Sequence, residues 1–254
     1  MVGDLVRMKG LRPLNKQLKL LPAVLILVTA SVASSAQQTR PERPMFSVNA
    51  PAESLPNLDA LKKELKQYHE CTCTCGCYAR DLDRQADRAI SFLRRRAAHP
   101  RPQQKLAMVF DIDETSLSNW QELLQADFAY NKAAFDAWSE TGQAPAIPGS
   151  VRIDKEAQRL GVAVFFITGR PERERSITEQ NLKAQGFDGW QQLSLRSHAM
   201  EGKSAEVYKS SVRAGIVAEG YTIVLNVGDQ WSDLKGKPEA EFSVKYPNPY
   251  YFIP

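Results

Sequence analysis

The chain carries a series of short apolar runs, most of which stop abruptly in polar residues. The run Lys105–Thr115 (KLAMVFDIDET) is apolar from Leu106 to Phe110 and then meets Asp111, Asp113 and Glu114. Val162–Arg170 (VAVFFITGR) ends in Thr168, Gly169 and Arg170, and Thr222–Gln230 (TIVLNVGDQ) ends in Gly228, Asp229 and Gln230. A shorter run lies near Gln192–Leu195, and EFSVKYP closes the series. Continuous Val/Ile/Phe stretches of this length predict strands buried on both faces.

Between them the apolar spacing becomes helical. Leu82, Ala86, Ala89, Ile90 and Leu93 predict a helix over about 80–98, and Asn57 or Asp59 can cap one through LDALKKELKQYHE. Further helical stretches are expected around 121–140 and 150–160, from Pro171 to Gln185, and near 205–219. Strands alternating with helices indicate an α/β fold, a Rossmann-like parallel sheet between helices. In open parallel sheets ligands bind outside the carboxyl ends of the strands. The three polar clusters are therefore expected to converge on one site.

Composition places this domain within 254 residues, 43% hydrophobic and 24% charged. Arg7, Lys9, Arg12, Lys16 and Lys19 precede the apolar run 20–33, with Ser34 and Ala36 after it. That order predicts a secretory signal over 1–36, cleaved before Gln37, and a periplasmic or secreted protein. An uncleaved anchor is the competing reading, but the run is broken by Pro22 and falls short of the ~20 residues a spanning helix needs. Residues 37–56 are rich in proline and polar residues and read as a flexible lead-in to a domain over 57–254. Removing residues 1–36 removes the formal net charge of +4. The remainder is near neutral and has no basic stripe interleaved with aromatics, which argues against a nucleic-acid partner. RRRAAHPRPQQK (94–105) reads as a solvated helix end and loop.

Asp111 and Asp113 are close enough to repel unless a cation lies between them or one is protonated. GDQWSD supplies Asp229 and Asp233 from another strand end. Carboxylates with backbone carbonyls and waters are the ligand set of Mg²⁺, which commonly meets substrate phosphate as well. Thr168 and Gly169 offer a hydroxyl and backbone N–H to anion oxygens, and Lys209 a compact positive charge. The pattern points to a metal-assisted phosphate site. A calcium loop starting at Asp111 is disfavoured, because Ser116 stands where that loop needs glycine and a strand precedes it. A structural ion-pair cluster is disfavoured because Asp111–Glu114 contains no basic residue.

FDIDETSLSNW, VAVFFITGRPE, YKSSVR, GYTIVLNVGDQWSDL and the terminal NPYYFIP resemble, in this order, the haloacid dehalogenase (HAD) superfamily phosphatases. Within these they resemble the acid phosphatase group of plant vegetative storage proteins and bacterial lipoprotein acid phosphatases. The resemblance extends from about Asn57 to the end. It implies a Mg²⁺-dependent acid phosphatase in which Asp111 attacks phosphorus and Asp113 handles the leaving-group proton. Thr168, Gly169 and Lys209 would hold phosphoryl oxygens; Asp111, Asp113 (through its carbonyl), Asp229 and Asp233 would serve the metal. It also implies a small helical cap over about 120–148 and small phosphomonoester substrates, with nucleotide and aryl phosphates as candidates. Non-catalytic storage members of the group depart at the first aspartate, which this chain retains as Asp111. The lipoprotein members need a cysteine just after the signal. None occurs before Cys71, so no stable membrane anchor is expected after cleavage.

Phe128, Tyr130, Phe135 and Trp138 in the cap segment fit either a stacking surface for an aromatic leaving group or the cap's own core. Cys71, Cys73, Cys75 and Cys77 do not match common zinc spacing. Three readings remain: disulfides, the default in an oxidising compartment; a metal or redox role; and no role. His69, His99 and His198 lie outside the motifs and read as structural.

Overall fold

β1 (Lys105–Phe110) is the centre of a five-stranded, all-parallel sheet of order β3-β2-β1-β4-β5. Its neighbours are β2 (Ala163–Pro171) and β4 (Tyr221–Gly228); β3 (Gln192–Arg196) and β5 (Phe242–Lys245) form the edges. The computed structural model describes residues 56–71, 77–99 and 101–254. The expected signal, the lead-in up to residue 55, and Cys73 and Cys75 lie outside the described residues.

Side chains alternate across a strand, so β1 sends Met108 and Phe110 to one face and Ala107 and Val109 to the other. Both faces are covered. On the first, α2 (Tyr78–Ala97), α5 (Pro148–Arg159) and α6 (Arg175–Ala184) contribute Leu82, Leu93, Ile153, Ala157 and Leu182 to the larger core. On the second, α7 (Ala205–Ala218) packs Tyr208 and Ile216 against Val109, Phe165 and Ile223. The unbroken apolar runs of the central strands follow from this double burial. At Gly149 of α5 an added Cβ would lie 2.9 Å from Ala86 Cβ, so the approach of α5 to α2 needs glycine there.

The order of the strands reverses at β1, with β2 on one side and β4 on the other. In such sheets a crevice opens at the carboxyl ends of the strands flanking the reversal. Asp111 and Asp229 follow immediately there.

Several expected boundaries move. The helix expected from Pro171 begins only at Arg175: Pro171 is the last residue of β2, pairs with Arg196, and is followed by a 3₁₀ turn at Glu172–Glu174. The residue before proline is pushed towards extended conformations, which carries the strand through Arg170. The stretch near 121–140 divides into α3 (Trp120–Gln125) and α4 (Lys132–Thr141), separated by Asp127 and Phe128 with φ of 49° and 60°.

α1 (Leu58–Glu70) is capped by Asn57, whose side chain accepts from the amides of Asp59 (3.0 Å) and Ala60 (3.2 Å). No residue of α1 is buried. It is attached by His69, which stacks on Trp120 (3.7 Å, 4°) and hydrogen-bonds the Tyr250 hydroxyl at 2.6 Å, by Tyr68, which donates to Asp81 at 2.7 Å, and by Lys62, which donates to Asp127 at 2.6 Å. Burial lowers the His69 pKa to about 4, so the ring is neutral at neutral pH and reads as structural. A Cys71–Cys77 disulfide joins the end of α1 to the start of α2. With a sequence separation of 6, it closes too small a loop for a large entropic gain. No helix among the described residues is long and apolar enough to cross a membrane.

One buried carboxyl lies away from the strand ends. Asp154 of α5 is fully buried with Oδ1 unpartnered, while Gln158 donates to Oδ2 at 2.9 Å. Burial raises its pKa from 3.8 to about 6. The folded protein thus binds a proton more tightly than the unfolded chain, and the associated stability is lost as pH rises from about 4 through 6. The stability difference between Asp154→Asn and the parent should move in favour of Asn by up to ~3 kcal/mol between pH 4 and 7. Urea unfolding at both pH values measures it; a difference independent of pH would show that the carboxyl is solvated.

Candidate active site

The chain turns sharply after β1. The Ile112 carbonyl accepts from the amides of Thr115 (3.2 Å), Ser116 (2.8 Å) and Leu117 (2.9 Å), and Glu114 takes a left-handed φ of 52°. Ser116 Oγ donates to the Asp111 carbonyl at 2.6 Å and Ser150 Oγ to that of Thr115 at 2.6 Å. The turn aims Asp111 and Asp113 at different partners, which a continued strand would not do.

Asp111 meets Lys209 of α7, whose Nζ donates to Asp111 Oδ1 at 2.5 Å and to Asp233 Oδ1 at 2.6 Å. Asp111, Asp229 and Asp233 each offer a carboxylate oxygen, all within 4.8 Å of one another, and all three residues are buried. Burial, then Asp233 and Asp229, push the Asp111 carboxyl well above its usual range, with Lys209 opposing. Burial and Asp233 raise Asp229 to about 7. Burial alone would favour loss of the Lys209 proton, but Asp111 and Asp233 outweigh it and raise its pKa. Besides burial, all three shifts reflect carboxylates in excess of cations in the cluster.

Asp113 takes the other direction. Arg170, 3% exposed, donates to its Oδ1 from Nη2 at 2.7 Å and from Nε at 3.1 Å. Asn119 Nδ2 adds 2.9 Å, and the Thr168 hydroxyl reaches Oδ2 at 3.5 Å. Burial would raise the Asp113 pKa, but Arg170, then Asn119 and Lys209, outweigh it and hold the carboxyl below its usual range. Thr168 is fully buried and also accepts from the Arg170 amide at 3.1 Å. Gly169 is exposed, and a Cβ there would meet nothing within 4 Å.

The β4 end is built around Asp233. An added Cβ on Gly228 would lie 2.4 Å from Asp233 Cβ, so this glycine makes room for the acid. Asp233 Oδ2 accepts from the Gln230 amide at 2.8 Å in a capping box that starts α8 (Trp231–Leu234). The Asp233 carbonyl accepts from Arg213 Nη1 (2.7 Å) and Asn226 Nδ2 (2.9 Å). Arg213 is fully buried and also donates to the carbonyls of Lys235, Gly236 (2.9 Å) and Pro238 (2.9 Å). Asp229 accepts from Thr115 (3.1 Å), Gln230 (2.7 Å) and Asn248 (2.7 Å).

A family model for the HAD superfamily, subfamily IIIB (acid phosphatase), matches residues 29–254. The chain belongs to this family. Among curated relatives of this HAD subfamily IIIB chain is acid phosphatase 1 of Solanum lycopersicum, 45% identical over 148 residues, or 57% of this chain and 58% of that protein. A stem 28 kDa glycoprotein of Glycine max is 34% identical over 181 residues, covering 69% of this chain and 64% of its own length. Vegetative storage protein 1 of Arabidopsis thaliana is 34% identical over 58% of this chain and 55% of its own length. The chain thus spans somewhat over half the length of these relatives. The fold is that of the class C acid phosphatase from Bacillus anthracis, with a TM-score of 0.63 at 21% identity over 77% of this chain and 86% of that one.

All the sequence-derived site residues of this HAD subfamily IIIB chain gather at the carboxyl ends of β1, β2 and β4, with Lys209 entering from α7. One expectation is corrected. The absence of a basic residue within Asp111–Glu114 does not leave these acids unpaired, because Arg170 and Lys209 arrive from β2 and α7. What distinguishes a site from an ion-pair cluster is the excess of carboxylates over cations. That excess fits a divalent cation bound by oxygen ligands. The residues missed by sequence reasoning are Arg170, Thr115, Asn119, Arg213, Asn248 and Tyr251. Arg170 stands inside ITGR and was legible as the only base within that strand end. The others stand inside FDIDETSLSNW, YKSSVR and NPYYFIP, but nothing local shows which partner each takes.

The cap aromatics divide. Trp138 is buried and donates from Nε1 to Asn119 Oδ1 at 2.8 Å; Phe128 packs with Trp120 and Tyr250. Tyr130 is 80% exposed.

Proposed function

We propose that this chain is an exported, Mg²⁺-dependent phosphomonoesterase that acts on small phosphate monoesters through an aspartyl-phosphate on Asp111. The observation that carries this reading is the buried cluster of Asp111, Asp229 and Asp233 around Lys209 at the reversal of strand order. Membership of an acid phosphatase family supports it.

A phosphate dianion ~4 Å from a carboxylate is repelled by roughly 8 kcal/mol at an effective dielectric near 20. Lys209 offsets part of this. Asp111 and Asp229 through their carboxylates and Asp113 through its carbonyl, with Asp233 in support, would hold a Mg²⁺, which would supply the remaining positive charge. Thr168, Gly169 and Lys209 hold phosphoryl oxygens. An Asp111 oxygen forms a bond to phosphorus as the bond to the leaving oxygen breaks, and Asp113 gives that oxygen a proton. Water then attacks the aspartyl-phosphate, Asp113 takes its proton, and phosphate leaves with Asp111 regenerated. The pairing of Asp113 with Arg170 favours its proton-accepting form. Positioning and electrostatics carry most of such a transfer, and proton transfer adds ~10²–10⁴-fold.

The second reading is a storage or binding protein of the same fold, favoured by the vegetative storage relatives. Retention of Asp111 in its ion-paired position favours the enzyme. Hydrolysis of 4-nitrophenyl phosphate with Mg²⁺ or with a chelator separates the two. Asp229→Ala should raise the Mg²⁺ concentration needed for half-maximal rate by about 10–100-fold. Asp113→Asn should leave that requirement nearly unchanged, since only its carbonyl serves the metal. The same metal dependence in both variants would overturn these roles.

A further inference from the structure

Asn119 is 1% exposed, and its side chain is fully committed. Its Nδ2 donates to Asp113 Oδ1 (2.9 Å) and Glu114 Oε2 (3.1 Å), while Oδ1 accepts from Trp138 Nε1 (2.8 Å). Its backbone amide donates to Glu114 Oε1 at 2.6 Å. The Trp138 bond fixes which end of the amide faces Asp113. Glu114 is itself held: it is 2% exposed, in a left-handed conformation that L residues adopt only when surroundings compel it. A further hold on its side chain comes from the C-terminal segment. Tyr251 donates its hydroxyl to Glu114 Oε2 at 2.6 Å.

That segment is tied down on its own account. After β5 the Tyr246 amide donates to the Gly228 carbonyl at 2.8 Å. Asn248 turns the chain, accepting from the Tyr250 amide at 2.9 Å while donating to Asp229 at 2.7 Å. The Ile253 amide donates to Gln230 Oε1 at 3.0 Å. The terminal residues therefore bridge the loop after β4 and the loop after β1.

We propose that Asn119 is a positioning residue for Asp113, oriented from the cap by Trp138 and from the C-terminal segment by Tyr251 acting through Glu114. The proposal rests on the phosphatase reading of Asp113. Its chemistry is selective. In the first half-reaction a correctly aimed Asp113 matters most where the leaving oxygen needs a proton, as in alkyl phosphates, and least for 4-nitrophenolate.

The test compares Tyr251→Phe and Trp138→Phe, each lacking one donor, with the parent on an alkyl phosphate and on 4-nitrophenyl phosphate. For both variants, kcat/KM on the alkyl substrate, which covers the steps through departure of the leaving oxygen, should fall by about 10–100-fold. On the nitrophenyl substrate kcat/KM should stay within about threefold. Amide hydrogen exchange at Asn119 should accelerate at least about tenfold in Tyr251→Phe, with β1 unchanged. An equal loss on both substrates, no loss on either, or unaltered exchange at Asn119 would overturn the proposal. Absence of turnover by the parent would instead overturn the phosphatase reading and, with it, this role for Asn119.

Discussion

Asp111→Asn should reduce turnover of 4-nitrophenyl phosphate by about 10⁴-fold or more at saturating Mg²⁺. The substitution keeps the shape of the side chain and removes the oxyanion proposed to attack phosphorus. Folding should survive it. Asp111 is buried beside Asp229 and Asp233, so removing one negative charge relieves repulsion while Lys209 keeps Asp233 as a partner. Thermal unfolding without metal should therefore show an unchanged or higher midpoint. Loss of activity together with loss of fold would leave Asp111 a structural residue. Retained activity would remove it as the nucleophile.

Lys209→Ala should combine the second largest loss of activity with a loss of stability that Mg²⁺ partly restores. Lys209 is the ammonium between Asp111 and Asp233, and removing one partner of a buried pair costs about 3–5 kcal/mol. A bound dication replaces some of that charge; at a concentration 100 times its dissociation constant it returns roughly 2.7 kcal/mol. Catalytic efficiency should fall by about 10²–10³-fold, because a charge-assisted contact to the phosphoryl oxygens is lost where charge builds up. Lys203→Ala should change neither property appreciably. Lys203 is exposed in the loop before α7, where its carbonyl accepts from Arg196 at 2.7 Å and its amide donates to the Met200 carbonyl at 3.3 Å. The reverse ranking of the two lysines would show that the phosphate-binding lysine has been misplaced.

The strands were legible because burial on both faces forces a continuous apolar run, and such a run has few other readings in a chain of this composition. β1, β2 and β4 therefore fall close to where periodicity puts them. The start of α6 was not legible, because a proline after Arg170 suits a helix's first turn as well as a strand's last residue. Pairing of Pro171 with Arg196 decides for the strand. The site residues were legible for a related reason. Asp111, Asp113, Asp229 and Asp233 stand at strand ends, where a short sequence separation is also a short distance.

The sequence by itself determined the alternation of strand and helix, the carboxylates that gather at the strand ends, and Lys209 as their basic companion. Tertiary structure alone decided how those charges are shared. Arg170 pairs with Asp113 rather than Asp111, because the turn held by the Ile112 carbonyl rotates the two acids apart. Asn248 and Tyr251 reach Asp229 and Glu114 across 19 and 137 residues of chain. Contacts between residues so far apart leave no periodicity in a sequence. Their geometry exists only once the sheet has closed, so which acid each group orients was found in the fold, although Asn119, Arg170, Asn248 and Tyr251 stand inside the motif stretches.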